Sequence, residues 1–299
     1  MGATLIVLAA GMGSRFGGPK QIAAVGPSGE TLVEYGLFDA VRAGFDHFVF
    51  VIREAIRADF ETAVLSRFSD KIACSCVLQS IEDLPAGIAV DCAVGRTKPW
   101  GTGHAFWTAR TAVSEISAVM NADDFYGPAS FKILYDSVQQ GASACLVPFR
   151  LDQTLSDQGG VSRGVCTLNS DGNLEGIREC RDLQMAGGQR VLGKDDASLE
   201  PVDLDVDTLV SMNLMGFGPD IWAFLDQHIT GFFKDLNPEK VSEYGLPDLL
   251  AAWMVQDAVD VKGTDEKWLG MTHASDLEMV QAAIRARVDA GDYPKRLWA

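Results

Sequence analysis

"TLIVLAAGMGSRFGGPKQ", Thr4 to Gln21, decides the fold. Thr4–Ala9 is an apolar run that reads as a buried strand, and it passes straight into a glycine-rich loop. A glycine loop after a first strand invites the dinucleotide pattern G-x-G-x-x-G, but the spacing differs. Gly11 and Gly13 fit; Phe16 stands where the third glycine belongs, and Gly17 follows one residue late. A dinucleotide fold starts its helix at this loop. Here Pro19 lacks a backbone N–H and disfavours helix at Gly18. The two glycines before it would each cost a helix about 1 kcal/mol. The chain therefore stays a loop from Ala10 to at least Lys20. The pattern G-x-x-x-x-G-K-[ST] is absent as well. Such a loop suits a polyphosphate: the glycines let backbone N–H groups approach oxygens, Arg15 can fork onto phosphate, and Lys20 is a point charge.

Outward from the loop, short apolar strands alternate with helices. Strands are expected at 47–52, 72–78, 118–121 and 142–148, and helices at 31–43, 54–67, 104–113 and 130–140. This order indicates βαβ units and a mainly parallel sheet flanked by helices. The texture changes near Gln158. Residues 161–168 and 174–180 flank Asp171-Gly172, a hairpin turn signal. The polar, glycine-containing stretch 181–203 reads as a surface excursion. Residues 208–229 read as strand, Gly-Pro turn and helix, and helices are expected at 247–256 and 275–290. The expectation is a Rossmann-like α/β domain spanning 1–299. Residues 1–150 form its nucleotide-binding half, and 151–299 carry the hairpin and a C-terminal helical elaboration.

Composition narrows the function. The net charge is −16, which disfavours nucleic acid, because phosphate backbones need a basic surface. No apolar run reaches the roughly 18 residues of a membrane span, and the first residues read as a buried strand rather than a signal peptide. The six cysteines contain no C-x-x-C pair, as expected of buried free thiols in a cytoplasmic protein.

With those residues in hand, "LAAGMGSRFGGPKQ" resembles the L-A-A-G-x-G-[ST]-R-x(n)-P-K motif of the sugar-nucleotide pyrophosphorylases, nucleotidyltransferases with a GT-A-like α/β fold. A compact form of the motif also occurs in methylerythritol-phosphate cytidylyltransferase and in the molybdenum-cofactor guanylyltransferase. The resemblance implies nucleotide contacts from Ala9, Ala10, Gly11, Gly13, Ser14 and Arg15, with Arg15 and Lys20 catalytic. Gly101-Thr102-Gly103-His104-Ala105 resembles the L-G-T-G-H-A segment of bacterial N-acetylglucosamine-1-phosphate uridyltransferases, which implies base contacts from Gly101, Thr102 and Gly103. Gln79 is the nearest candidate for a glutamine that touches the base, and His104 reads as structural or capping. In "AVMNADDFYG", Asp123 takes the place of the family's metal-binding Asp, so it is the expected Mg²⁺ ligand, with Asp124 beside it on the sugar side. "RGVCTLNSDGNLEGIRECRD" is similar to the family's sugar hairpin, with Arg163 where Tyr is common. It implies sugar contacts from Gly164 and Glu179, and Arg181 facing the phosphate. Asn213 in "VSMNLMGF" matches a further sugar-binding Asn. The departure lies in "KWLGMTHASDL", where a second metal ligand is expected and Thr272, His273 and Asp276 are what the chain offers.

The implied activity is Mg²⁺-dependent transfer of an NMP from an NTP to a sugar 1-phosphate, with pyrophosphate released. A homo-oligomer is compatible with it, and neither membrane nor nucleic acid is needed. Two rivals stand beside it: a cytidylyl- or guanylyltransferase with a non-sugar phosphate acceptor, and a catalytically impaired nucleotide-sugar-binding regulator. A dinucleotide-dependent oxidoreductase is disfavoured by Pro19.

Overall fold

The computed structural model describes residues 2–11, 23–113, 116–156, 159–236, 242–271 and 276–298. The first half contains β1 (Ala3–Leu8), α1 (Leu32–Ala43), β2 (His47–Ile52), α2 (Arg57–Ala63), β3 (Cys74–Leu78) and α3 (Thr102–Thr108). β4 (Ile116–Asn121), the two-residue β5 (Asp124–Phe125), α4 (Pro128–Gln139) and β6 (Ala144–Leu146) follow. Every residue of β1 is buried. Leu5 and Val7 face one apolar cluster with α1 and α4. Ile6 and Leu8 face a second, with α3 and two later helices. An unbroken apolar strand is what a sheet covered on both faces requires. α1 starts where the Glu34 carboxylate accepts the Thr31 backbone N–H at 2.8 Å. It ends at Gly44, whose φ of 122° suits glycine.

The second half contributes β7 (Phe149–Arg150), β8 (Val161–Leu168), β9 (Leu174–Gly187), β10 (Arg190–Asp195), β11 (Pro201–Asp205), β12 (Leu209–Ser211) and β13 (Met215–Phe217). Then come α5 (Ile221–Lys234), α6 (Leu246–Trp253), β14 (Asp260–Val261), β15 (Leu269–Gly270) and α7 (Asp276–Ala290). The central sheet has the order β14-β6-β13-β4-β1-β2-β3. Its pairs are parallel except at β13, which runs antiparallel to β4 and β6. A second, antiparallel sheet has the order β11-β10-β9-β8-β12-β7.

Two expectations need correction. Residues 181–203 are not a surface excursion: β9 runs on to Gly187, and β10 and β11 extend the hairpin into the second sheet. Val191, Val202 and Leu204 are the buried positions that hold them there. The expected strand at 208–217 is two strands in different sheets. The chain leaves the second sheet after Ser211 and enters the central one at Met215. Asn213, in the left-handed region at φ 62°, lies at that crossing, and Asn tolerates this conformation better than most residues.

Candidate active site

Parallel pairing puts the carboxyl ends of β1 and β4 side by side, with Leu8 opposite Asn121. The Ala122 N–H continues the ladder to the Leu8 carbonyl at 3.1 Å, and the Ala9 N–H reaches Val51 at 2.9 Å. Ala9 and Ala10 are therefore buried backbone at the sheet edge, and Gly11 is the exposed start of the glycine loop. The loop after β1 and the Asp123-Asp124 turn after β4 leave the same edge, where open α/β sheets bind ligands.

Asp124 is held in place. Its Oδ2 accepts from Asn121 Nδ2 at 2.8 Å and lies 3.2 Å from the Tyr126 hydroxyl. That hydroxyl is also 2.9 Å from the Met212 carbonyl and accepts the Asn121 N–H at 3.1 Å. The other end of the Asn121 amide accepts from Asn213 Nδ2 at 3.4 Å. One small network thus ties the end of β4 to the crossing segment between the sheets. Burial and the Asp124 charge keep the Tyr126 hydroxyl protonated.

Between the sheets lies a cleft of about 520 Å³. It brings together six sequence-predicted residues: Thr102, Asp123, Asp124, Gly164, Glu179 and Asn213. β8 and β9 pair Gly164 with Glu179. A Cβ at Gly164 would sit 3.0 Å from Ile177 Cγ2 and 3.9 Å from Glu179 Oε2, so glycine keeps that wall thin. Desolvation raises the Glu179 pKa; Asp196 adds to the rise and Arg163 opposes it. Arg163 also lines the cleft, with its guanidinium 5.0 Å from the Trp268 ring centroid. Residues that sequence reasoning did not single out are Asn121, Tyr126, Glu243 and Trp268. Asn121 stood two residues before the Asp pair on the same strand end, a signal that was there to be read.

The Gly101-Thr102-Gly103 turn has a clear structural reason. Gly101 has φ 103°, and a Cβ there would lie 2.4 Å from the Tyr244 carbonyl oxygen. The Gly103 N–H donates to that same carbonyl at 2.9 Å, so this donor is committed within the protein. Thr102 Oγ1 accepts the Leu246 N–H at 3.0 Å, capping α6. Gln79 is buried outside the cleft wall. Its Nε2 lies 3.1 Å from both the Gly101 carbonyl and His104 Nδ1. His104 Nε2 donates to the Asp83 carbonyl at 2.7 Å, and burial lowers the pKa of the ring. Gln79 and His104 thus brace the turn that carries Thr102.

Arg181 is not on the cleft wall; it pairs with Asp196 at 3.2 Å. Gly13, Ser14, Arg15 and Lys20 lie outside the described residues, as do Thr272 and His273. Asp276, buried at the start of α7, lines a neighbouring cavity of about 420 Å³ that shares Arg163 and Trp268 with the cleft. Among the described residues no three His, Cys, Asp or Glu side chains converge as a metal site. Mg²⁺ does not need that. It takes one or two carboxylates and completes its shell with phosphate oxygens and water, and Asp123 and Asp124 offer such hard oxygen donors at the strand end. The donor set fits the ion.

The mainly parallel sheet, flanked by helices and with this cleft at its carboxyl edge, is a fold shared with solved nucleotidyltransferase structures. Residues 5–110 match the family described as the MobA-like NTP transferase domain. No curated protein sequence matches the chain. Among solved structures, the inositol-1-phosphate CTP transferase from T. maritima is 14% identical with a TM-score of 0.61, covering 94% of this chain and 96% of that one. A Bacillus anthracis protein assigned as a glucose-1-phosphate thymidylyltransferase, in complex with a sucrose, is 11% identical with a TM-score of 0.65, covering 95% of each chain. A UDP-glucose pyrophosphorylase complexed with UDP-glucose is 17% identical with a TM-score of 0.58, covering 96% of this chain and all of that one. At such identities the likeness establishes the fold. Among the described residues no helix is long and apolar enough to cross a membrane.

Proposed function

We propose that the chain transfers a nucleoside monophosphate from an NTP to the phosphate of a sugar 1-phosphate, giving an NDP-sugar and pyrophosphate. One observation carries this reading. The Asp123-Asp124 turn and the Gly164, Glu179 and Asn213 side of the second sheet line one cleft, at the edge where the glycine loop leaves β1. The NTP-transferase match over 5–110 supports the nucleotide half. An acceptor phosphate oxygen attacks the α-phosphorus. A new P–O bond forms, the bond to the β-phosphate breaks, and pyrophosphate departs with the electron pair. No general base is required, because a phosphate nucleophile is already ionised at neutral pH. Positioning and charge neutralisation do most of the work in such a transfer. Asp123, with Asp124 beside it, would hold Mg²⁺, which supplies charge neutralisation at the phosphates when bound. Glu179 and Asn213 offer a carboxylate and an amide suited to sugar hydroxyls. Arg15 and Lys20 would serve the triphosphate from the glycine loop.

The test is pyrophosphate release from the four NTPs crossed with glucose 1-phosphate, N-acetylglucosamine 1-phosphate, inositol 1-phosphate and phosphocholine, with Mg²⁺. Turnover confined to the last two would replace the sugar acceptor with a non-sugar one. NTP binding without turnover for any pair would favour the regulatory reading. Asp123→Ala should abolish Mg²⁺-dependent turnover while the protein stays folded.

A further inference from the structure

We infer that Arg163 is the protein cation that receives the acceptor's phosphate; the inference rests on the transferase reading above. Arg181, the position that the family resemblance points to, is off the cleft wall and paired with Asp196. Among the described residues that line the cleft, Arg163 is the sole cation, and it shares the cleft with Asp123, Asp124, Glu179 and Glu243. A phosphate entering so acidic a cleft is repelled unless a fixed positive charge meets it. Asp123 would hold Mg²⁺, whose charge would serve that end of the cleft; the wall made by β8 and β9 needs its own cation.

Arg163 is built to stay there. Nη1 donates to the Ser162 carbonyl at 2.7 Å and Nη2 to the Thr154 carbonyl. The Trp268 ring supports the guanidinium. Its charge lies in the field of Asp124 and Glu179, between the end of β4 and the hairpin wall. Nε is buried with no hydrogen-bond partner among the described residues. A buried, unsatisfied N–H on a cation is costly, and a shift of the side chain that brought it to the cleft would let a phosphate oxygen satisfy it. The planar fork matches phosphate geometry, with the two carbonyl contacts already fixing its orientation.

The experiment compares R163Q, R163K and R181Q in steady-state pyrophosphate release with the best pair from the panel. R163Q should raise the acceptor KM by at least about tenfold while the NTP KM stays within about twofold. R163K keeps the charge and loses the fork, so its acceptor KM should fall between wild type and R163Q. If R163Q does not fold, the R163K acceptor KM decides alone. An unchanged acceptor KM, equal rises in both KM values, or a loss carried by R181Q instead would overturn the inference. If no pair turns over, calorimetric binding of glucose 1-phosphate and inositol 1-phosphate with Mg²⁺ separates the two failures. Binding by wild type that R163Q loses upholds Arg163 without the transferase; equal binding by both, or none by wild type, rejects it.

Discussion

Asn121 serves two side chains of the cleft with one amide. Its Nδ2 orients Asp124 and its Oδ1 receives Asn213, so the sides of the cleft proposed to hold the metal and the sugar share a support. Tyr126 completes it from below with one hydroxyl proton and two acceptors, Met212 O and Asp124 Oδ2. Tyr126→Phe removes that hydroxyl and leaves the Asn121 N–H and the Met212 carbonyl unpaired in a buried place. The expected cost is about 1–3 kcal/mol, read as a lower denaturation midpoint. Because both tethered groups lie on the proposed acceptor side, the acceptor KM should rise while the NTP KM holds. Equal shifts in the two constants would mean that the network only stabilises the fold. At this scale the sequence was informative where chemistry and position coincide. Asp123, Asp124, Glu179 and Asn213 are polar residues at strand ends or in a hairpin, and they share one cleft. Arg181 lies off the cleft wall and pairs with Asp196, from a turn fifteen residues away, because a residue's motif position does not say what its neighbours will do.

Elements show the same division. The 47–52 strand was legible to the residue, because HFVFVI is apolar and flanked by polar and glycine-containing segments. β11 was missed although PVDLD alternates in burial along its whole length; its many charges masked the period. The crossing between β12 and β13 could not be read, since an apolar run says nothing about which sheet each half joins. α1 shows how a buried charge can hide inside a helix. Asp39 is almost wholly buried on α1, where its Oδ2 accepts from the Tyr293 hydroxyl at 2.6 Å. Burial pushes its pKa up to about 7, against the smaller opposing effects of Tyr293 and Arg42. Between the ordinary carboxylate range and pH 7, the folded protein holds a proton that the unfolded chain has released. Stability from this group is therefore fully present below that window, falls as pH rises through it, and is flat above. The span corresponds to a loss on the order of 4 kcal/mol. Asp39→Asn keeps the shape and removes the titration. The wild-type melting temperature should fall relative to that variant from pH 5 to pH 8, and parallel profiles would show that Asp39 titrates normally.

For the whole molecule, the halves 1–150 and 151–299 are interleaved in the central sheet. The first half's alternation of strands and helices runs to about residue 148, but the central sheet is closed by a strand from the other half. β13 pairs with β4 on one side and β6 on the other, and β14 adds to β6. Without residues 209–261, β6 has no neighbour in the sheet, and the edge of β4 away from β1, the strand that leads into the Asp123-Asp124 turn, is unpaired. The shared core points the same way: Leu5, Val7 and Phe131 lie in one apolar cluster with Val165, Cys180, Val191 and Leu204 of the second sheet. A fragment of residues 1–150 would thus expose an edge strand and the part of that core covered by the second sheet. Exposed edges and apolar patches drive aggregation rather than independent folding. The full chain should unfold in a single calorimetric transition, and the 1–150 fragment should show no cooperative melt and rapid proteolysis. A fragment with a sharp melt and a protected core, or two separate transitions in the full chain, would show instead that the nucleotide half is an autonomous domain. In that case the cleft would be a junction between two domains rather than a feature of one.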